Sequence, residues 1–174
     1  MKKTLLILMF VITNIAFAQV VSLKENDRFT KKNVLQVNAM KGKRWKLSDD
    51  IAEGVNKTMY FSLKSVNNTN YLQLNTTTLN PLCLREESRA ILLLSDNSTI
   101  ELYNKSETEC ASANKSLTGS YLIPIEDITT ITNKEIDEVR IYFSEGYSDF
   151  KINKNSKETI KETSKLFLSE LATF

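Results

Sequence analysis

The chain contains no histidine, and that absence removes more chemistry than any residue present supplies. Ser-His-Asp and Cys-His nucleophilic systems need an imidazole base, and most zinc sites need one as a ligand. The two cysteines cannot supply a four-thiolate zinc cage or an iron–sulfur cluster. Four glycines leave no phosphate-cradling loop, no nucleophile elbow and no EF-hand loop. Any catalysis would have to run on carboxylates, tyrosines, lysines or hydroxyls. The expectation is a protein that is not an enzyme and holds no metal or cofactor.

What is present first is an address. Lys2 and Lys3 precede the apolar run Leu5–Ile12, and Ala16-Phe17-Ala18 gives a small-x-small cleavage pattern before Gln19. This is the layout of a secretory signal. The run is broken by Thr13 and Asn14, short of the roughly 20 residues that span a bilayer, so the mature chain should carry no integral membrane span. Export to the periplasm or beyond follows, with residues 1–18 as the signal. Of the 23 basic and 21 acidic residues, cleavage removes Lys2 and Lys3 and leaves 21 of each sign. A neutral chain gives no global attraction to nucleic acid or to an anionic membrane.

Residues 19–33 show no period and read as a flexible arm carrying a basic cluster that continues to Lys46. Residues 34–174 read as one β-rich domain. Val34–Met40 is a strand whose partner is Arg44–Leu47, anchored by Trp45. Met59, Phe61 and Leu63 alternate inward, and a four-residue turn at Asn67–Asn70 sets Leu63 opposite Leu74. The central hairpin is Ala90–Tyr103. A two-residue turn at Asp96-Asn97 pairs Leu94 with Thr99, Leu93 with Ile100 and Ile91 with Leu102, placing Ile91, Leu93, Ile100 and Leu102 on one face. Asn104–Gly119 reads as an exposed loop, Tyr121–Ile125 as a strand, and Ile128 with Ile131 as a helical turn. In a last hairpin the loop Ser144–Tyr147 sets Ile141 opposite Phe150 and Val139 opposite Ile152. A helix follows over 156–172, capped by Asn155 with Glu158 reaching back, its apolar face formed by Ile160, Phe167, Leu171 and Phe174.

This pattern predicts a mainly β (α+β) protein: an antiparallel β-sandwich or partly open barrel with a C-terminal amphipathic helix, a pleckstrin-homology-like barrel being the second choice. Cys83 and Cys110 lie equally far from the Asp96-Asn97 turn, so a continued hairpin would set them opposite each other. In an exported chain they should form a disulfide.

The segment Ile91-Leu92-Leu93-Leu94-Ser95-Asp96-Asn97-Ser98-Thr99-Ile100-Glu101-Leu102 resembles the strand, Asp-Gly turn, strand pattern of a group of short, uncharacterised secreted β-rich proteins of Bacteroidetes type, with Asn97 in place of the glycine. Tyr121–Ile128, then Val139–Tyr142 and Gly146–Phe150, is similar to their next block. The resemblance covers about residues 60–171. It implies no activity, substrate or catalytic residue.

Recognition should fall to exposed aromatics held out by a rigid sheet. Tyr71, Tyr103, Tyr142 and Tyr147, with Arg140, form the candidate contact surface, and Arg140 is also placed to pair with Asp149 across its hairpin. The acids Asp49-Asp50, Glu86-Glu87, Glu107/Glu109 and Glu126-Asp127 read as solvated groups or, for the last pair, a helix cap. The functional expectation is an exported, non-catalytic binding or structural module of the bacterial envelope with a protein or glycan partner. A carrier of a small apolar ligand in a barrel cavity is the alternative, and a carboxylate-dependent hydrolase the third.

Overall fold

Where glycine is scarce, asparagine makes three of the tight turns. Asn67, Asn68, Asn97 and Asn114 all hold positive φ, a region that asparagine enters more readily than other residues bearing a side chain. The computed structural model describes residues 20–27, 30–39 and 55–174, which form eleven strands and two helices. The strands are β1 (Val20–Asp27), β2 (Lys32–Asn38), β3 (Val55–Val66), β4 (Thr69–Thr78), β5 (Leu82–Leu84), β6 (Arg89–Leu94), β7 (Thr99–Tyr103), β8 (Glu109–Ala111), β9 (Ser116–Leu122), β10 (Ile136–Phe143) and β11 (Gly146–Lys151). Helix α1 (Ile125–Asn133) precedes β10, and α2 (Lys154–Leu171) closes the chain. The expected export signal and the Arg44–Leu47 strand lie outside the described residues.

The strands form a sheet of order β1-β2-β3-β4-β9, a second of order β11-β10-β6-β7, and the small pair β5-β8. Every pairing is antiparallel. One bridge, Asn104 to Tyr121, ties the β7 edge to the β9 edge, and the sheets do not close into a barrel. The architecture is sandwich-like, and its interior is filled by apolar side chains from both large sheets, including Leu35, Met59, Leu63, Leu72, Leu92, Leu94 and Tyr121.

The central hairpin differs from the sequence expectation by one residue. The amide of Asn97 donates to Leu94 O, the amide of Leu94 donates to Ser98 O, and Asn97 is left-handed at φ 64. That is a three-residue loop, a type I turn followed by a left-handed residue. Leu92 therefore opposes Ile100 and Ala90 opposes Leu102. A slip of one exchanges the faces of a strand: Leu92 and Leu94 are buried, while Ile91 and Leu93 are outward. The other two hairpins slip by two, which keeps the faces. Asn67-Asn68 is a two-residue loop that puts Leu63 opposite Leu72, and Phe143 opposes Gly146, which puts Val139 opposite Phe150.

Asp96 fixes the central turn from its side chain. Its carboxylate accepts from the Ser98 amide and hydroxyl at 3.1 and 2.5 Å, and Lys134 lies 2.6 Å away. The Lys134 hydrogen bond first, then those from Ser98, hold the Asp96 carboxyl well below the usual carboxylate range. A carboxyl depressed in the folded state adds stability above its unfolded pKa of about 3.9, and that stability is lost as pH falls below it. Asp96→Asn should therefore lower the melting temperature at pH 7, and its gap from wild type should narrow as pH drops below about 4. Melting curves from pH 2 to 8 check this; a gap independent of pH would contradict it.

The expected loop Asn104–Gly119 contains strand β8 and the first half of β9. Its pivot is Asn104, fully buried. Its side-chain amide donates to Arg85 O at 2.9 Å, and its carbonyl oxygen accepts from the Ser120 amide at 2.9 Å and the Ser106 hydroxyl at 2.7 Å. These bonds satisfy the backbone where the ladder breaks, so a polar segment becomes structured. In β9, a side chain at Gly119 would put Cβ 2.5 Å from the Tyr121 ring and 2.8 Å from Leu84, so only glycine leaves room for that ring. The Tyr121 hydroxyl is buried without a hydrogen-bond partner among the described residues, and burial pushes its phenol well above its usual range. An unmet buried hydroxyl costs about 1–3 kcal/mol. Tyr121→Phe should thus raise stability by about 1 kcal/mol in urea unfolding, whereas a loss would mean the hydroxyl is satisfied.

Residues 20–27, expected within a flexible arm, form β1 and pair with β2 from Val20–Asn38 to Asp27–Lys32. Period-two reading failed because this edge strand has no buried face: residues 22–26 are all exposed, and the register also shifts between Val21 and Leu23. Lys24 ties this edge to the C-terminus, 2.9 Å from Glu170 and 5.8 Å from the Phe174 ring centre. Helix α2 is capped by Asn153, whose side chain accepts from the Ser156 amide at 3.0 Å, and not by Asn155. It packs on α1, β2 and β3. Its buried face is Ser156, Thr159, Ile160, Thr163, Ser164 and Phe167, more hydroxylic than the aliphatic face expected. Two of those hydroxyls donate to the backbone one turn back, Thr159 to Asn155 O and Ser164 to Ile160 O, so they bury cheaply. Small side chains also let α1 approach.

Candidate contact face

Strand alternation sends Arg89, Ile91 and Leu93 of β6 outward, together with Glu101 and Tyr103 of β7, Arg140 and Tyr142 of β10, and Tyr147 and Asp149 of β11. The pairing Tyr142–Tyr147 on one side and Arg89–Tyr103 on the other lays aromatic and guanidinium groups across the outer face. The Arg89 guanidinium carbon stands 4.4 Å from the Tyr142 ring centre, and that of Arg140 stands 4.0 Å from the Tyr147 ring centre. The two tyrosine rings are 5.7 Å apart and tilted by 51°. Cation–π contacts at these distances restrain the rings.

Carboxylates fix the arginines in turn. Arg140 makes a two-pronged pair with Asp149, Nε to Oδ1 at 2.6 Å and Nη2 to Oδ2 at 2.7 Å. Sequence spacing placed this pair diagonally; the shorter loop sets the two residues directly opposite. The Asp149 hydrogen bond keeps the Arg140 guanidinium charged by raising its pKa further. The Tyr103 hydroxyl donates to Glu101 at 2.6 Å, and Arg89 reaches the same carboxylate at 3.4 Å. The Tyr103 bond, aided by Arg89, holds Glu101 below the usual carboxylate range and raises the Tyr103 phenol. Tyr103 is 45% and Tyr147 55% exposed, so the rings present themselves to solvent while their neighbours restrain them. Beside the row, Ile91, Leu93, Thr99, Glu138 and Arg140 line a depression of about 200 Å³.

Tyr103, Tyr142, Tyr147 and Arg140 are thus gathered on one face. Tyr71 is not among them; it lies on β4 of the other sheet, between Lys64 and Leu122. Sequence reading missed Arg89 and Glu101 as members. Glu101 already faced outward in the register the turn suggested, while Arg89 does so only in the observed register, one residue away.

No protein-family profile, curated protein or solved structure matches this chain. Its function is therefore read from geometry alone. The expected disulfide is present: Cys83 opposes Cys110 in β5-β8 and is bonded to it. The acids do not share a framed site. Glu87 pairs with Lys105 at 2.5 Å, Glu109 accepts from the Thr118 amide, and Asp49-Asp50 lies outside the described residues. Glu126 and Asp127 sit in the first turn of α1, whose N-cap is Pro124, so they follow the cap and do not form it. Asp127 is raised by burial and by neighbouring Glu126. Among the described residues, no cluster of three or more Cys, Asp or Glu is arranged to hold a metal, and no helix is long and apolar enough to cross a membrane.

Proposed function

We propose that the protein is an exported, non-catalytic binding module of the bacterial envelope that engages a protein partner through the outer face of β11-β10-β6-β7. The gathering of Tyr103, Tyr142, Tyr147, Arg89 and Arg140 on that face carries the reading. Tyrosine and arginine are the side chains most often found at binding hot spots. Here ring contacts and carboxylate pairs already restrict them, which reduces the ordering cost of association. The depression lined by Ile91 and Leu93 can take one apolar anchor from the partner. A disulfide in the native fold fits maturation in an oxidising compartment, as does the signal-like leader.

The test begins with the protein expressed in a native host, where mass spectrometry should find Gln19 as the first residue. That mature chain, immobilised, should retain a specific envelope protein, which is then purified and titrated directly. Tyr142→Ala/Tyr147→Ala should weaken that affinity at least roughly 30-fold, the equivalent of one hot spot of about 2 kcal/mol. An unchanged affinity would remove this face from the proposal. Turnover of a glycoside, ester or peptide that vanishes in Glu126→Gln or Asp127→Asn would overturn the non-catalytic reading.

A further inference from the structure

The opposite outer face, that of β2-β3-β4-β9, differs in chemistry. Cross-strand register arranges its outward side chains in rows. Asn38, Ser62, Gln73 and Ser120 form one row; Tyr60, Asn75 and Thr118 form the next. Neither row contains a charged residue, in a chain of which 25% is charged. Among the described residues, Lys64 stands in the row beyond, beside Tyr71, and the Glu109 carboxylate meets the backbone amide of Thr118 at the β9 edge.

These side chains are pre-set by one another. Ser62 donates to Gln73 at 3.4 Å, Gln73 donates to Ser120 at 3.3 Å, and Asn75 donates to Thr118 at 2.5 Å. Gln36 donates to Asn38 at 3.1 Å. An amide carries two donors and an acceptor, and a hydroxyl carries one donor and two lone pairs. The bonds above therefore leave capacity unspent at Asn38 Nδ2, Asn75 Oδ1 and the Thr118 hydroxyl hydrogen. The half-buried Tyr60 adds a hydroxyl. Asn38, Tyr60, Ser62, Gln73, Asn75 and Thr118 surround a depression of about 270 Å³. Tyr60 and Tyr71 stand on either side of the Ser62–Gln73 row, two rows apart, or about 14 Å along the strands.

From this we infer a binding site for a neutral oligosaccharide on the outer face of β2-β3-β4-β9, centred on Gln73 and Asn75. Sugar hydroxyls both donate and accept, so adjacent hydroxyls pair with the donor and acceptor of a single amide. The C–H face of a sugar ring is apolar enough to lie on tyrosine. The absence of charge from both rows disfavours phosphate, uronate and nucleic acid, which require compensating cations. An apolar ligand is disfavoured because it would strand the amides. The site is separate from the protein-contact face and stands whether or not that reading holds.

The test uses the mature, disulfide-bonded chain on an array of neutral oligosaccharides (glucans, mannans, xylans) with heparin and polygalacturonate as charged probes. Binding to at least one neutral class is expected, with an affinity that changes less than twofold between 50 and 500 mM salt. Gln73→Ala and Asn75→Ala should each weaken it at least tenfold, and Tyr60→Ala likewise, whereas Tyr142→Ala/Tyr147→Ala leaves it unchanged. Amide chemical-shift mapping on the wild-type chain, which needs no variant to fold, should place the perturbed residues at Tyr60, Gln73, Asn75 and Thr118. No neutral sugar bound, binding confined to the charged probes, or perturbations mapping elsewhere would each overturn the site.

Discussion

Replacing both Cys83 and Cys110 by alanine should lower folding stability by about 3.5 kcal/mol, the chain-entropy value for this loop. The bond spans a sequence separation of 27, so the unfolded chain regains the freedom of a long loop when it is cut. The folded state is also exposed to the loss. Strands β5 and β8 are three residues each, and a two-stranded ladder of that size is not stable alone. This pair also ties into the second sheet, the Ser144 amide donating to Cys83 O at 2.9 Å and the Ser144 hydroxyl accepting from the Cys83 amide at 3.2 Å. Differential scanning calorimetry should show a fall of roughly 10 °C in Tm, and reductant should reproduce it in the wild type. Hydrogen exchange should rise first at Leu82–Leu84 and Glu109–Ala111. A change below about 1 kcal/mol would show that the loop is closed by other contacts before the bond forms.

Phe167→Ala should cost about 4 kcal/mol, within the range for emptying a buried phenylalanine site. Helix α2 buries four hydroxyl side chains but only two apolar ones, Ile160 and Phe167, and Phe167 is fully inaccessible. The hydroxyls bring the helix close without supplying much transfer free energy, so its docking rests most on those two residues, with Leu166, Leu168 and Leu171 half-buried against the core beside them. Urea unfolding monitored by circular dichroism measures the cost. Rapid hydrogen exchange along α2 in the variant, with the sheets still protected, would show that the helix undocks by itself; uniform loss of protection would show that it folds with the rest.

Strand and helix identity over most of the chain was determined by the sequence. Met59, Phe61, Leu63, Leu72 and Leu74 alternate inward because a half-buried sheet demands period two, and the structure buries all five. The same holds for Val139, Ile141 and Phe150, even though their hairpin loop is two residues shorter than expected. An even slip leaves each side chain on its own face. The disulfide was legible too, because two register differences cancel. The central loop is one residue longer than expected, and the return strand carries one extra residue between Asn104 and Glu109, so Leu84 opposes Glu109 and Cys83 meets Cys110 after all.

Only the tertiary structure decided three things. A one-residue difference in the turn at Ser95–Asn97 exchanged Ile91 and Leu93 for Leu92 and Leu94 in the core, since both sets are aliphatic and the pattern cannot choose between them. Polar segments became strands where a distant partner met their backbone groups, as Asn104 does for Arg85 and Ser120. Residues far apart in the chain became one surface: Arg89, Tyr103, Tyr142 and Tyr147 on one face, and Asn38, Ser62, Gln73 and Ser120 on the other. Alternation along a strand is a local steric rule and can be read from sequence. Which strands become neighbours, and in what register, is set by long-range pairing and burial, which appear only once the sheets have packed.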